Sequence, residues 1–358
     1  MIYVHVPFCK SFCVYCGFYS EICTGEKAFA AFADGLCREI TERSEEIKAA
    51  SLPKTLYFGG GTPSVLPLKY FSRIVEALPG GYEEFTVEAN PDDINPSYAS
   101  GLKSLGVNRI SLGVQSLSDE ILRLMNRRHD SAAAIRAVET LRHAGIDNIS
   151  IDLIFGLPSL APEVWDDTIT KALALSPNHI SAYQLSVEEG SVLDERLRAG
   201  SFKEAGDEEC RQQYDMLCRR LSEAGYIHYE VSNFAKPGFE AIHNSAYWRR
   251  SPYVGLGPGA HSFDGSRLRS WNTQSLNGWK REYENLSDYD TKVETIMLSL
   301  RTAGGISETE LFKAGSREAC ERLLAEGALV RIPGGKIRIP ENHFFVCDDV
   351  ITSSITSS

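Results

Sequence analysis

Six short β-rich runs alternate with longer helical stretches in the first half of this 358-residue chain, and that rhythm leaves few folds open. The strand candidates are 2–6, 54–58, 85–89, 109–113, 149–154 and 179–185. The helix-like stretches are 28–50, 68–78, 96–105, 119–126, 132–144 and 162–175. Strands that are each followed by a helix form parallel βα units. Several runs look near-continuously apolar, as expected where helices cover both faces of a sheet. Two helix-to-strand joints, Leu105-Gly106-Val107 and Ala144-Gly145-Ile146, place glycine where a left-handed helix cap needs it. Shared βα architecture accounts for that repetition without a sequence duplication.

The rhythm changes after about residue 190. A long polar-faced helix is expected over 201–224. Residues 225–290 are rich in Tyr, Trp, Asn, Gly and Pro and show little periodicity. From about 290 the pattern is helix (292–301), short helix, helix (316–326), then strand 328–332, a Pro333-Gly334-Gly335 turn and strand 336–339. That outline is winged-helix-like, and the tail 352–358 is expected to fray. The chain thus reads as α/β: a barrel unit over 1–190, an extension over 191–290 and a winged-helix-like α+β unit over 291–358. A net charge of −11 argues against nucleic acid as a partner, for the C-terminal unit as well. No apolar run reaches the roughly 20 residues that span a bilayer. The start, Met1-Ile2-Tyr3-Val4, has no signal-peptide pattern, so no membrane segment and a cytoplasmic location are expected.

Cysteine usage narrows the chemistry. Nine cysteines is an odd number, and in a reducing compartment thiols or metal ligands are expected over disulfides. Cys37 and Cys218 lie among apolar neighbours and read as small buried hydrophobes. Cys9, Cys13 and Cys16 differ, forming a C-x3-C-x2-C run just after the first strand. A structural zinc site commonly wants four ligands as two C-x2-C pairs, and no second pair exists. Three thiolates on one loop can instead hold three irons of a [4Fe–4S] cluster, leaving the fourth iron open.

This spacing resembles the radical S-adenosylmethionine (SAM) superfamily. The resemblance implies a partial (βα)6 barrel, in agreement with the six βα units, and SAM chelated at the open iron. The cluster loop then stands at the C-terminal mouth, where barrel active sites sit. After the second strand comes Gly59-Gly60-Gly61-Thr62-Pro63. This is a tight turn or a run that lets backbone approach a ligand closely; the resemblance implies that Gly60, Gly61 and Thr62 contact SAM. Glu88 ends the third strand, where an unpaired carboxylate is costly to bury and suits a ribose or amine. Gln115 follows the fourth strand, Arg127 comes one short helix later, and Asp152 lies on the fifth. Each alone could be a cap or a structural polar contact; together on one rim they suit one ligand. By the same resemblance Tyr3 and Tyr15 flank the cluster. Gly255-Leu256-Gly257-Pro258-Gly259 has an internal proline and reads as a loop, not a dinucleotide fingerprint.

Over roughly residues 1–350, these motifs with Tyr3-Val4-His5-Val6-Pro7 and Phe155-Gly156-Leu157-Pro158 resemble the oxygen-independent coproporphyrinogen III dehydrogenase group, which includes the similar HemW haem chaperones. Two positions favour the HemW family. The dehydrogenase carries a further cysteine two residues after the third, where this chain has Phe18. His243-Asn244-Ser245-Ala246-Tyr247-Trp248 matches the H-N-x-x-Y-W motif associated with haem in that family. The dehydrogenase also has a longer arm before its cluster motif, and none is expected here. An imidazole can ligate haem iron, and Tyr247 and Trp248 offer flat apolar surface; a structural His-Asn-Tyr-Trp packing cluster is the other reading. His261 is a second ligand candidate, while His129, His143, His228 and His343 read as structural or solvent-facing. The resemblance thus implies a [4Fe–4S] cluster, SAM and haem as cofactors, a haem-acceptor protein as partner, and a chaperone role in preference to the dehydrogenase activity.

Overall fold

The structure is a computed structural model; it describes residues 1–358 apart from 23, 24, 51, 159 and 356–358. Six strands stand side by side in chain order, all parallel: β1 (Ile2–Val6), β2 (Thr55–Gly60), β3 (Glu84–Ala89), β4 (Arg109–Gln115), β5 (Asn148–Phe155) and β6 (His179–Gln184). Every expected strand is present. The expected helices are present too, though 28–50 is two helices, Glu26–Glu42 and Ser44–Ala49, broken at Arg43. Side chains cap several: Asn95 accepts from the Tyr98 amide, and Asp130 from that of Ala133. Gly106 and Gly145 both hold positive φ, 91° and 80°, at the two repeated joints.

The strands are not continuously apolar, which corrects the sequence reading. Val4, Leu56, Phe58, Val87, Ile110, Leu112, Ile151 and Ile180 are buried beneath the helices. Alternating with them come Tyr3, Tyr57, Thr86, Glu88, Arg109, Ser111, Asp152 and Ser181. A strand shows its side chains to opposite faces with period two, so the outer face is oily and the inner face polar. Such an interior is built around a site, not a packed core.

The sheet also continues past residue 190. β7 (Ile227–Glu230) and β8 (Asn233–Ala235) form an antiparallel hairpin on β6, and β9 (Val254–Leu256) pairs parallel to β1. The order β9-β1-β2-β3-β4-β5-β6-β8-β7 has two free ends, so the barrel is partial. Gly255 and Leu256 are therefore strand residues, not loop. β8 and β9, at three residues each, are too short to show a period in the sequence. The expected long helix 201–224 is shorter, Asp207–Glu223.

Beyond it, His261–Phe263, Leu268–Asn272 and Arg281–Asn285 form a small antiparallel sheet. The last segment has helices Asp288–Leu300, Glu308–Ala314 and Arg317–Ala325, with Ile306–Ser307, Lys336–Arg338 and Val330–Ile332 as a second antiparallel sheet. The tail is not frayed through 355. Cys347–Ile355 is helical, with Val350, Ile351 and Ser354 buried, and the Ser354 carbonyl accepts the Ser316 amide at 2.9 Å. No helix among the described residues is long and apolar enough to cross a membrane.

Candidate functional site: a cavity at the barrel mouth

A cavity of about 730 Å³ opens at the C-terminal ends of the parallel strands. Cys9, Cys13, Tyr15 and Cys16 reach it from the loop after β1, and Gly60, Gly61 and Thr62 from the end of β2. Glu88 faces it from β3, Gln115 from the end of β4, Asp152 from β5, and Arg127 from the turn after helix Asp119–Leu124.

The cluster loop is pinned by backbone bonds. The Gly61 amide donates to the Val6 carbonyl at 2.9 Å and the Thr62 amide to the Phe8 carbonyl at 2.8 Å. Glycine is required there: a Cβ on Gly60, at φ +110°, would stand 2.6 Å from the His5 ring, and one on Gly61 2.9 Å from the Phe8 carbonyl. The glycine run is thus both the tight turn and part of the cavity wall. On the other side the Asn126 amide side chain donates to the Phe12 carbonyl at 2.8 Å.

Cys9 Sγ lies 3.3 Å from Thr62 Oγ1. Arg127 donates to Cys13 Sγ at 3.1 Å, to the Gly113 carbonyl at 2.6 Å and to Asn90 Oδ1. The guanidinium thus stands directly against the middle thiol of the run. Burial pushes the Cys16 thiol up. Among the described residues no three Cys, His, Asp or Glu converge on a single metal ion. A [4Fe–4S] cluster makes no such demand, because each thiolate takes a different iron. Three thiols spread along one cavity-facing loop, with a cation at the middle one, fit that group.

Two carboxyl groups face the same space. Glu88 accepts from the Tyr57 hydroxyl at 2.8 Å and the Gly60 amide at 3.2 Å, and burial raises it to about 7. Asp152 accepts from Ser111 Oγ at 3.1 Å and is also raised by burial. Carboxyls raised by burial can take a cation or hydroxyls from a ligand. Such groups, beside an open glycine backbone, fit SAM.

Other expected site residues lie elsewhere. Tyr3 stands behind the wall: its hydroxyl is 3.2 Å from His5 Nδ1, and its ring stacks on the cavity-lining Tyr57. The H-N-x-x-Y-W residues lie on helix Ile242–Trp248, which closes the opposite end of the barrel. His243 is 0% exposed. Its Nδ1 meets Thr55 Oγ1 at 2.8 Å and its Nε2 meets the Tyr247 hydroxyl at 3.1 Å. Glu84 accepts the Ile242 and His243 amides at 2.7 and 3.0 Å. Thr55 and Glu84 are the first residues of β2 and β3, so this helix is the barrel floor. Burial lowers His243 to about 3, so its ring is neutral, with both nitrogens engaged. Of the two readings the sequence left open for the motif, this packing matches the structural one at His243. Trp248 Nε1 is buried without a partner, and of the motif residues only Asn244 lines the cavity. His261 is exposed, stacks on Trp271 at 6.0 Å and lies outside the cavity.

The sequence reading missed Tyr57, Ser111, Ser181 and Tyr183, which also line the cavity. Their alternation with apolar neighbours was the available signal. It likewise missed Arg109, a fully buried interior cation whose Nε and Nη1 have no partner.

An open parallel barrel with three cysteines above a glycine turn at its mouth defines the radical SAM class, and the Radical SAM superfamily model matches residues 3–172. Over 343 residues the chain is 33% identical to heme chaperone HemW of Synechocystis sp., spanning 90% of this chain and 82% of that one. Over 266 residues it is 38% identical to heme chaperone HemW of Lactococcus lactis subsp. lactis, spanning 73% and 69%. The chain belongs to the HemW family. Its fold is also that of coproporphyrinogen III oxidase (HemN) from Escherichia coli, with a TM-score of 0.80 over 99% of this chain and 89% of the other. At 21% identity that likeness carries the fold alone.

Proposed function

We propose that this protein is a haem chaperone that binds haem and hands it to an acceptor protein. The observation that carries the reading is the 33% identity to a relative named heme chaperone HemW across 90% of the chain. Cys9, Cys13 and Cys16 would hold a [4Fe–4S] cluster, and Gly60, Gly61, Thr62, Glu88, Gln115, Arg127 and Asp152, with Tyr15, would hold SAM. The cluster's open iron supplies a chelation point for SAM. This chain's residues do the rest. Arg127 donates to Cys13 Sγ, Glu88 and Asp152 offer carboxyls to the ligand's polar groups, and the glycine turn keeps side chains out of the way.

The chemistry is binding and release, in the cytoplasm, with no nucleic acid involved. Phe18, where a further cysteine marks the dehydrogenase, supports the chaperone over porphyrinogen oxidation. Anaerobic reconstitution with iron and sulfide, then haem titration with and without SAM, tests the reading. About one haem per chain, and transfer to an apo-haem protein, are expected. A protein that binds no haem, or that oxidises coproporphyrinogen when given SAM and a reductant, would refute it.

A further inference from the structure

A chaperone needs a seat for its cargo, and the floor helix offers a poor one. His243 is fully buried with both ring nitrogens taken. The mouth differs. Phe12 is 44% exposed, Phe18 72% and Tyr183 44%, and all three line the one cavity, with Leu185 beside them. Phe12 and Phe18 come from the cluster loop; Tyr183 and Leu185 come from the end of β6 and the residue after it. They therefore bound the opening from two sides. Aromatic surface left in water at a cavity rim does nothing for the fold and marks a place where something apolar sits.

The lip also carries ion pairs on one side. Lys10 follows Cys9 on the same loop, and Arg128 lines the cavity; both pair with Asp93, at 2.5 and 3.1 Å, and Arg128 pairs with Asp92 as well, at 3.1 Å. These cations are already matched by carboxylates, so the surface the lip leaves open is the apolar one. A flat apolar ring matches it, meeting Phe12, Phe18 and Tyr183. Among the described residues no histidine lines the cavity. An apolar, non-directional grip without imidazole ligation suits a cargo that must leave again.

Resting on the haem-chaperone reading, we propose that haem is seated across the barrel mouth, gripped by Phe12, Phe18, Tyr183 and Leu185, and not on the His243 helix. The mouth then holds cargo directly above the cofactor cavity, so the two occupancies share one opening.

The test uses cluster-reconstituted protein. Haem affinity is read by absorbance titration, and haem release by transfer to excess apomyoglobin. Phe12→Ser and Phe18→Ser change exposed side chains and leave the fold intact, which iron and sulfide content and SAM affinity would verify. Each is expected to weaken haem binding about tenfold, the equivalent of about 1.4 kcal/mol, and to speed release. Tyr289→Ser, an exposed aromatic on helix Asp288–Leu300, is the control and should bind haem as the parent does. Parent-like affinity in both lip variants, beside normal binding by the parent, overturns the mouth seat alone. A parent protein that binds no haem overturns the chaperone reading with it. Lip variants that weaken haem while retaining cluster and SAM establish the seat.

Discussion

At the top of the barrel the strand ends turn their polar groups toward a cavity; at the bottom the strand starts turn theirs toward the helix Ile242–Trp248. Both ends use the same inner face of the same strands. At the mouth the thiols of Cys9, Cys13 and Cys16 stay reduced and Glu88 titrates near neutrality. On the floor Thr55 and Tyr247 hydrogen-bond to His243, and Glu84 accepts the helix's first amides. Residue type alone does not separate a binding group from a structural one here. A histidine and a cysteine are both good iron ligands, but here the cysteines line the open cavity while His243 is buried with both ring nitrogens hydrogen-bonded.

The contrast can be broken first at the mouth. Cys9→Ser, Cys13→Ser or Cys16→Ser should each abolish cluster assembly, measured as iron and sulfide per chain. The far-ultraviolet dichroism should stay unchanged, because backbone bonds pin the loop. Full iron content in any of the three would remove that cysteine from the ligand set. The floor should respond the opposite way. His243→Ala leaves Thr55 and Tyr247 without a partner and opens a void, so it should lower unfolding stability by roughly 2–4 kcal/mol in urea while the cluster still assembles. An unchanged urea midpoint would show that the helix is no plug.

Glu230, 0% exposed on β7, offers a buried carboxyl away from both ends, raised by burial from 4.5 to about 7. A raised folded pKa means the fold holds the proton more tightly than the unfolded chain. Stability from this group is thus fully present below about pH 4.5 and lost as pH rises through about 7. Glu230→Gln should flatten that slope, by on the order of 2 kcal/mol; a variant with the parent's slope would assign the titration elsewhere. A smaller effect is expected at Glu88. Its carboxyl is protonated below about pH 7 and charged above it. Affinity for the cationic cofactor should therefore fall several-fold from pH 8 to pH 6, and Glu88→Gln should make it low and flat. The smallest effect is none: Cys23→Ser should leave cluster content untouched. Cys23 lies outside the described residues, and a loss of iron there would enlarge the ligand set.

The mouth was legible in the sequence and the floor was not, for a physical reason. Cys9, Cys13 and Cys16 are local, and their spacing alone fixes what one loop can hold. The βα alternation is also local, so β1 to β6 appear wherever the period changes. His243 depends on Thr55, 188 positions away, and on Glu84, 159 positions away. No window of sequence contains that pairing. The motif reads as a ligand site because imidazole, phenol and indole look alike whether they bind a macrocycle or plug a barrel. β8 and β9, at three residues each, have no visible period and take their shape from neighbours already in the sheet.

The placement of β9 sets a timetable for synthesis. The strand that covers the β1 edge is encoded some 250 residues downstream of it. A ribosome adds about 5–20 residues per second, so several seconds pass between completion of β6 and the arrival of Val254. Through that interval the nascent barrel carries an open parallel edge along its oldest strand, the kind of edge that recruits foreign strands. Native closure is therefore a late event in translation, and chains terminated before Val254 would carry that sticky edge permanently.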